Sequence, residues 1–588
     1  MSVKIDFSKD SLLDTFALAT LKDRYMVGDE TSPQEAFARA AMAFADDDDH
    51  AQRLYDYVSN LWFMFATPVL SNGGTRRGLP ISCFLNYVDD SREGITDHFV
   101  ENAFLSSFGG GIGGTWSDVR SMGSKTSKGS ESTGVIPFVK VVDAEMLAFS
   151  QGVTRRGSYA GYLHMSHPEI EEFLDVRKAT GGDTNRKCTN LHHGIVISDK
   201  FMEVIHRATK ENDFNDDWDL IDPHSGEVTK TISARTLWVK LLQNRMETGE
   251  PYLMFEDAVQ ADLPEFQKRK GLKVNHSNLC SEITLATNEE RTAVCCLSSV
   301  NLEYYDDWKN HPAFISDLVR FLDNVLTYFI ANAPTELERA RYSAERERSI
   351  GLGAMGFHAY LQKAGIAFEG AMATAANLEI FKHIKSQAQT ETERLAVEKG
   401  ACPDDDTCSV RNAHLLAIAP NASSSIICGN TSPSIEPYRA NAFTQKTKSG
   451  SYLMKNKFLE EVLEKYGQNI DSTWTSIITN KGSCQHLEFL TEEEREIFKT
   501  AVEINQAWVV EHASMRQQYI CQSQSVNLFF PPDVNKADLH NIHMLAWAKN
   551  MKTLYYLRSE AISRADNVSN KVKREIIFEQ SDCLNCEG

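Results

Sequence analysis

Asn278, Cys280 and Glu282 stand at alternate positions, so an extended strand or loop tip would point an amide, a thiol and a carboxylate to one side. Such a set can bind a polar substrate while a sulfur and a base act on it. Further sulfurs lie nearby in sequence at Cys295-Cys296 and upstream in Ser82-Cys83-Phe84-Leu85. Each cysteine taken alone is by default a buried, inert side chain. Cys583-x-x-Cys586 lies on a polar stretch rather than at the start of a packed helix, so an electron-carrying dithiol fits it better than half a zinc knuckle; an accidental pair is the remaining alternative. Ala419-Pro420-Asn421-Ala422-Ser423-Ser424-Ser425 follows the apolar run 415–418 and puts small hydroxyls and free amides where a strand ends. That suits a phosphate, or equally a serine-rich helix cap. Tyr555-Tyr556 falls on a strand or its end, where a buried aromatic pair is ordinarily packing.

Other motifs are weaker. Gly109-Gly110-Gly111-Ile112-Gly113-Gly114 contains GxGxxG, but 96–108 before it reads as helix, whereas a dinucleotide fingerprint follows a strand. Gly123-Ser124-Lys125-Thr126 lacks the Gly-Lys order of a P-loop. His164-x-x-His167 and His192-His193 have no HExxH spacing or cysteine set to complete a zinc site, so they read as structural histidines.

The elements that must hold these groups belong to a soluble globular chain of 588 residues, 42% hydrophobic and 24% charged. With 61 Lys+Arg against 81 Asp+Glu the net charge is −20, which repels nucleic acid and anionic lipid and disfavours both as partners. Charges at Lys4, Asp6, Lys9 and Asp10 break any secretory core, and the apolar stretch 61–70 is too short to span a membrane and holds Pro68. A cytoplasmic protein follows, and its 12 cysteines are too sparse for a disulfide framework.

Residues 1–66 show amphipathic helical patterns at 32–44 and 50–65 around Asp46-Asp47-Asp48-Asp49, read as a solvated loop. Beyond them, short apolar runs at 194–197 and 415–418 alternate with helical patterns at 237–247, 314–329 and 375–398, which indicates α/β layering. No linker divides 67–565, so one large body is expected, with 566–588 as a mobile tail.

Taken jointly, these residues resemble the large, catalytic subunit of class I ribonucleotide reductase from about Thr67 to the last residue. Supporting matches are Thr67-Pro68, Arg348-Ser349-Ile350-Gly351-Leu352-Gly353-Ala354-Met355-Gly356-Phe357, Ser434-Ile435-Glu436-Pro437-Tyr438 and Gln522-Ser523-Gln524-Ser525-Val526-Asn527-Leu528. The resemblance implies a ten-stranded α/β barrel whose central finger loop carries a radical cysteine, Cys280. Glu282 would take the 3′-hydroxyl proton of a ribonucleoside diphosphate and Asn278 would hold the sugar. Cys83 and Cys295 would be the reducing pair, with Cys296 as packing, and Cys583 and Cys586 would relay electrons from thioredoxin or glutaredoxin. Tyr555 and Tyr556 match a dyad that receives the radical from a separate, metal-containing small subunit, which leaves this chain free of metal and of covalently bound cofactor.

Substrate contacts are implied at Thr67, Ser82, Gly111, Pro420, Asn421, Ala422, Ser423 and Ser424. A site for dNTP or ATP effectors is implied at Asp90, Ser91, Arg92, Ser107 and Arg120, with Gln151 and Arg155 on a loop relaying base identity; Lys125 and Lys128 are further phosphate candidates. A homodimer is expected. Residues 1–66 show no ATP-cone sequence, so no overall-activity site is expected there.

Overall fold

The computed structural model describes residues 2–149, 157–211, 213–447 and 450–559. Helices at Thr15–Arg24, Pro33–Phe44 and Asp48–Ser59 form the N-terminal layer. The second starts at a capping box, Ser32 with Glu35, with Pro33 in its first turn. It buries Ala36, Phe37, Ala40, Ala41 and Phe44, the stripe its spacing predicts. This layer is stitched to the helix Phe314–Asn332: Asp317 accepts Arg53 Nε and Nη2 at 2.8 and 2.9 Å and the Tyr57 hydroxyl at 2.8 Å. The acidic run is exposed and connects two helices, as read, but only Asp46 and Asp47 are loop. Asp47 caps the helix Asp48–Ser59, Asp48 and Asp49 sit in its first turn, where the helix dipole favours anions, and Asp46 pairs with Arg320 and Lys399.

Strands Cys83–Tyr87, Gly111–Thr115, Ser158–His164, His192–Ile197 and Tyr252–Phe255 lie side by side in parallel. The crossovers that parallel pairing demands carry, in order, the helices Arg92–Ser107, Ile136–Ala148, Ile170–Leu174, and Asp199–Lys210 with Ala234–Thr248. At one edge Cys83–Tyr87 pairs antiparallel with Ala293–Asn301, which runs parallel to Ile350–Met355. At the other edge Tyr252–Phe255 pairs antiparallel with Thr553–Leu554.

The ring closes through two extended segments. Leu352 bridges Leu416 and Ile418 bridges Gln524, both in parallel, and Tyr555 N donates to Val526 O at 2.9 Å. Eight strands and the segments 415–418 and 522–526 thus make a barrel of ten, with antiparallel pairing at two seams. The apolar run 415–418, expected as a regular strand, contributes single bridges on each side instead.

Residues 275–287 thread through this barrel as a finger. Gly113 makes room for it: a Cβ there would lie 2.1 Å from Ser277 O and 2.8 Å from Asn278 Cα. His276 Nε2 meets Gly113 O at 3.0 Å, and on the far wall Ser523 N donates to Glu282 O at 2.9 Å. The glycine run is therefore barrel wall shaped around a loop, which explains why it follows a helix rather than a strand.

Candidate active site

Cys83 and Cys295 are directly opposed across the first seam, and Gly111 flanks Cys83 on its other side. Opposed residues on neighbouring strands project to the same face, so the two thiols share one side of the wall, and both are buried. Burial pushes the Cys295 thiol well up, Cys296, Cys83 and Glu282 push it further, and the amide of Gln522, 3.5 Å from Sγ, opposes them. A side chain at Gly351 would press on this sulfur at 2.9 Å. Cys296 faces the other way, its Sγ 3.2 Å from Leu322 O on the outer helix, as packing requires.

Cys280 sits at the tip of the finger. The tip is not extended: Ser281 has φ +67°, a left-handed turn, and Asn278 Oδ1 closes it by accepting Ile283 N at 3.1 Å. Ser525 Oγ donates to Cys280 O at 2.5 Å and lies 3.2 Å from Glu282 Oε2. The Tyr162 hydroxyl donates to Asn278 O at 2.8 Å, and burial, together with the nearby Cys280 and Glu282, holds its pKa high. Amide, thiol and carboxylate are thus brought to one fully buried turn, and Glu282 is close enough to bear on Cys295.

Tyr555 and Tyr556 lie between Thr553–Leu554 and Leu557–Ser559 and pack in one buried cluster with Cys280, Tyr162 and Tyr252. Their ring centroids are 4.4 Å apart, and Tyr252 stands 4.7 and 5.0 Å from the two. The Tyr556 hydroxyl is 3.3 Å from His192 Nδ1, which is 2.6 Å from the buried Glu250. Arg245, fully buried, donates to Tyr555 O at 3.1 Å and fixes the backbone of the pair.

Thr67 opens the helix Thr67–Asn72, and its hydroxyl is 3.0 Å from that of Tyr25. Ser82 O accepts Gly111 N at 2.6 Å, tying both to the dithiol seam. Asn421, in the left-handed region at φ +54°, reaches Ser299 Oγ at 2.9 Å and introduces the helix Ala422–Ile427, which carries Ser423 and Ser424. The serine-rich turn is therefore a helix start, and Pro420 and Ala422 line a cavity of about 380 Å³ that also reaches Glu436, Asn527 and Tyr555.

The candidate effector residues divide. Asp90 holds Arg120 at 2.9 Å, and Ser91 caps the helix Arg92–Ser107, so Asp90, Ser91, Arg92 and Arg120 gather at one point. Ser107 ends the same helix roughly 22 Å away at 1.5 Å rise per residue and does not join them within the chain. Lys125 pairs with Glu131 at 2.8 Å. Gln151, Arg155, Cys583 and Cys586 lie outside the described residues.

The histidines have structural partners: His164 meets Glu256, His167 meets Val119 O, and His192 and His193 share Glu250. Among the described residues no cluster of three or more His, Cys, Asp or Glu could hold a metal ion, and no helix is long and apolar enough to cross a membrane. Gln522, Ser525, Tyr162, Tyr252, Glu250 and Arg245 were not singled out as site residues from sequence. A visible signal was the polar run 522–525, whose four side chains are buried here.

A thiol-tipped finger inside a ten-stranded barrel, beside paired thiols on the wall, defines a redox enzyme. The chain is matched by the ribonucleotide reductase barrel domain over residues 81–406 and 406–557 and by the ribonucleotide reductase all-alpha domain over 11–78. It is 44% identical to the ribonucleoside-diphosphate reductase large subunit of Invertebrate iridescent virus 3, over 100% of both chains. It is 46% identical to a putative large subunit from Frog virus 3, over 92% of each. The class Id ribonucleotide reductase alpha subunit of Actinobacillus ureae superposes with a TM-score of 0.81 at 34% identity, over 95% of this chain and 99% of that one. The chain belongs to the ribonucleotide reductase large-subunit family, oxidoreductases that convert ribonucleotides to deoxyribonucleotides by radical chemistry.

Proposed function

We propose that this chain is the catalytic subunit of a cytoplasmic class I enzyme that reduces ribonucleoside diphosphates, with residues 67–565 as its catalytic body. The observation that carries the reading is the seam register that opposes Cys83 to Cys295 with Glu282 close by. A thiyl radical on Cys280 takes the 3′ hydrogen of the sugar, Glu282 takes the 3′-hydroxyl proton, and Asn278 orients the ribose. The 2′-hydroxyl leaves as water; Cys83 and Cys295 supply two electrons and two protons and become a disulfide. Cys280 then recovers its unpaired electron by returning a hydrogen to the 3′ carbon.

A separate small subunit, through its metal centre, supplies the oxidising equivalent, and Tyr556 and Tyr555 pass it inward to Cys280. Cys583 and Cys586 reduce the buried disulfide by exchange and are themselves reduced by thioredoxin or glutaredoxin. Substrate phosphates rest on residues 420–424, with Thr67, Ser82 and Gly111 supporting the nucleotide. A dNTP or ATP effector binds at Asp90, Ser91, Arg92 and Arg120, with Ser107, Gln151 and Arg155 completing the site across a homodimer. A nucleotide-binding relative without turnover would have no use for a buried, register-paired dithiol and a third buried thiol on the finger. The test is turnover of CDP with a small subunit and dithiothreitol: Cys280→Ser should abolish it, whereas Cys583→Ser should fail with thioredoxin and work with dithiothreitol. Activity retained by Cys280→Ser overturns the reading.

A further inference from the structure

Cys521 belongs to none of these groups. It is partly exposed and opens the wall segment 522–526. Its sulfur faces the neighbouring segment, where the amides of Leu415 and Leu416 donate to Sγ at 3.0 and 3.3 Å. These are short approaches to sulfur, as expected for a charged acceptor. In its protonated form the thiol can donate to the Leu416 carbonyl, at 3.7 Å.

His414, 1% exposed, gives Nε2 to Gln267 Oε1 at 3.1 Å, while its buried Nδ1 makes no hydrogen bond of ordinary geometry; the imidazole interacts with the Cys521 sulfur. Lys385, on the helix Ala371–Lys399, adds positive charge. The buried ammonium of Lys552 donates to the carbonyls of Cys521 and Gln522 at 2.8 and 2.7 Å, its own charge balanced by Asp262 at 2.5 Å.

Two amides and an imidazole at the sulfur, with the positive charge of Lys385 acting on it, make an anion pocket. Burial, with nearby carboxylates adding to it, pushes Cys402 up to about 11 and Cys188 and Cys484 up to about 12. At Cys521 burial acts in the same direction, but Lys385, His414 and the Leu415 amide outweigh it and bring the thiol down to about 5. The residue is partly exposed, and the thiolate is the form that peroxides oxidise.

We propose that Cys521 is a standing thiolate and a modification site for hydroperoxides, separate from the catalytic sulfurs. The sulfur attacks the peroxide O–O bond: one S–O bond forms, the O–O bond breaks, and sulfur gives up two electrons. With hydrogen peroxide and one proton from solvent, the products are a sulfenic acid and water. The neutral product no longer holds the Leu415 and Leu416 amides as an anion does. Those residues lead into the turn 419–425, and the next residue, Gln522, touches Cys295 Sγ, so the mark falls on the wall that supports the active site.

The test uses the full chain, pulsed with iodoacetamide between pH 6 and 8 and mapped by peptide mass spectrometry. Cys521 should react at pH 6 at least tenfold faster than the exposed Cys408 and at a nearly constant rate up to pH 8. Lys385→Gln, at a partly exposed position, and His414→Gln should each move the onset of reaction to higher pH. Equimolar hydrogen peroxide followed by dimedone should tag Cys521. A Cys521 rate that climbs about tenfold per pH unit across this range, or a Cys521 that neither alkylates nor takes dimedone, overturns the proposal.

Discussion

Cys83 and Cys295 face each other as a register pair on antiparallel strands, at one of the two places where the barrel's halves meet. Antiparallel partners have Cα atoms roughly 4.5–5.5 Å apart, inside the roughly 4.4–6.8 Å span that a disulfide bridges. The wall can therefore carry either two thiols or one disulfide without moving its backbone. Turnover of the pre-reduced chain without external reductant should stop after about two cycles, one for the wall dithiol and one for the Cys583/Cys586 pair, and a non-reducing peptide map of the stopped enzyme should show Cys83 linked to Cys295. A map showing Cys295 joined to Cys296, or no linkage, would contradict the assignment.

Gly113 tests the finger. A methyl group there meets the backbone of Ser277 and Asn278, which cannot rotate away as a side chain would. Gly113→Ala should cost about 1–3 kcal/mol by overpacking and push Cys280 out of line. Turnover should fall by at least about 100-fold, equivalent to ~2.7 kcal/mol, while thermal unfolding stays cooperative. Near-normal activity would mean that the finger's position is not critical.

The tyrosine pair gives a different readout. Phenylalanine fills nearly the same volume, so Tyr555→Phe and Tyr556→Phe should fold normally and bind nucleotide like the parent. On the proposed radical path each variant lacks the hydroxyl through which an electron and a proton would leave together, and turnover with the small subunit should drop by about 10³-fold or more, ~4 kcal/mol. Loss of nucleotide affinity instead would assign the pair to packing, with Tyr252 and His192 as its neighbours.

Much of this site was legible in sequence because its chemistry is carried by rare residue types. Alternation marked Asn278, Cys280 and Glu282 as a set on either a strand or a loop tip, and the structure has the loop tip, with a left-handed Ser281 and the Asn278–Ile283 bond making a turn. Gln522 and Ser525 gained no role from sequence because their contacts to Cys295 and Glu282 span more than 200 residues, and local pattern carries no such information. Asp46 lies in an exposed loop as expected, but its ion pairs were not legible for the same reason, its partners Arg320 and Lys399 being distant in the chain. Ser107 shares a helix with Ser91, but helical rise separates the two ends, which linear proximity conceals.

Glu282 is wholly buried, and its two oxygens differ in setting, with Oε2 held 3.2 Å from Ser525 Oγ. Glu282→Gln keeps the shape and an acceptor for Ser525 but removes the proposed base. A general base contributes roughly 10²–10⁴-fold, so kcat should fall within that range with KM little changed. A raised KM at unchanged kcat would make Glu282 a binding residue only.

Asp222 anchors the loop that presents Arg120. It accepts Ser121 N at 2.9 Å, Ser121 Oγ at 2.6 Å and Ser124 Oγ at 2.5 Å, and its other oxygen takes the amides of His224 and Ser225 at 3.1 and 2.9 Å. Burial pushes its pKa up, but these donors outweigh burial and hold the carboxyl well below its usual range. A depressed folded-state pKa means that the stabilisation is fully present above the unfolded value near 4 and fades as pH falls toward the folded value. Asp222→Asn should therefore lower stability by about 2 kcal/mol at pH 7, with the gap to the parent narrowing below about pH 4. Because Arg120 leaves with the loop, effector affinity should drop in the same variant; a pH-independent gap in denaturant midpoint would show that the carboxylate's charge is not what holds the loop.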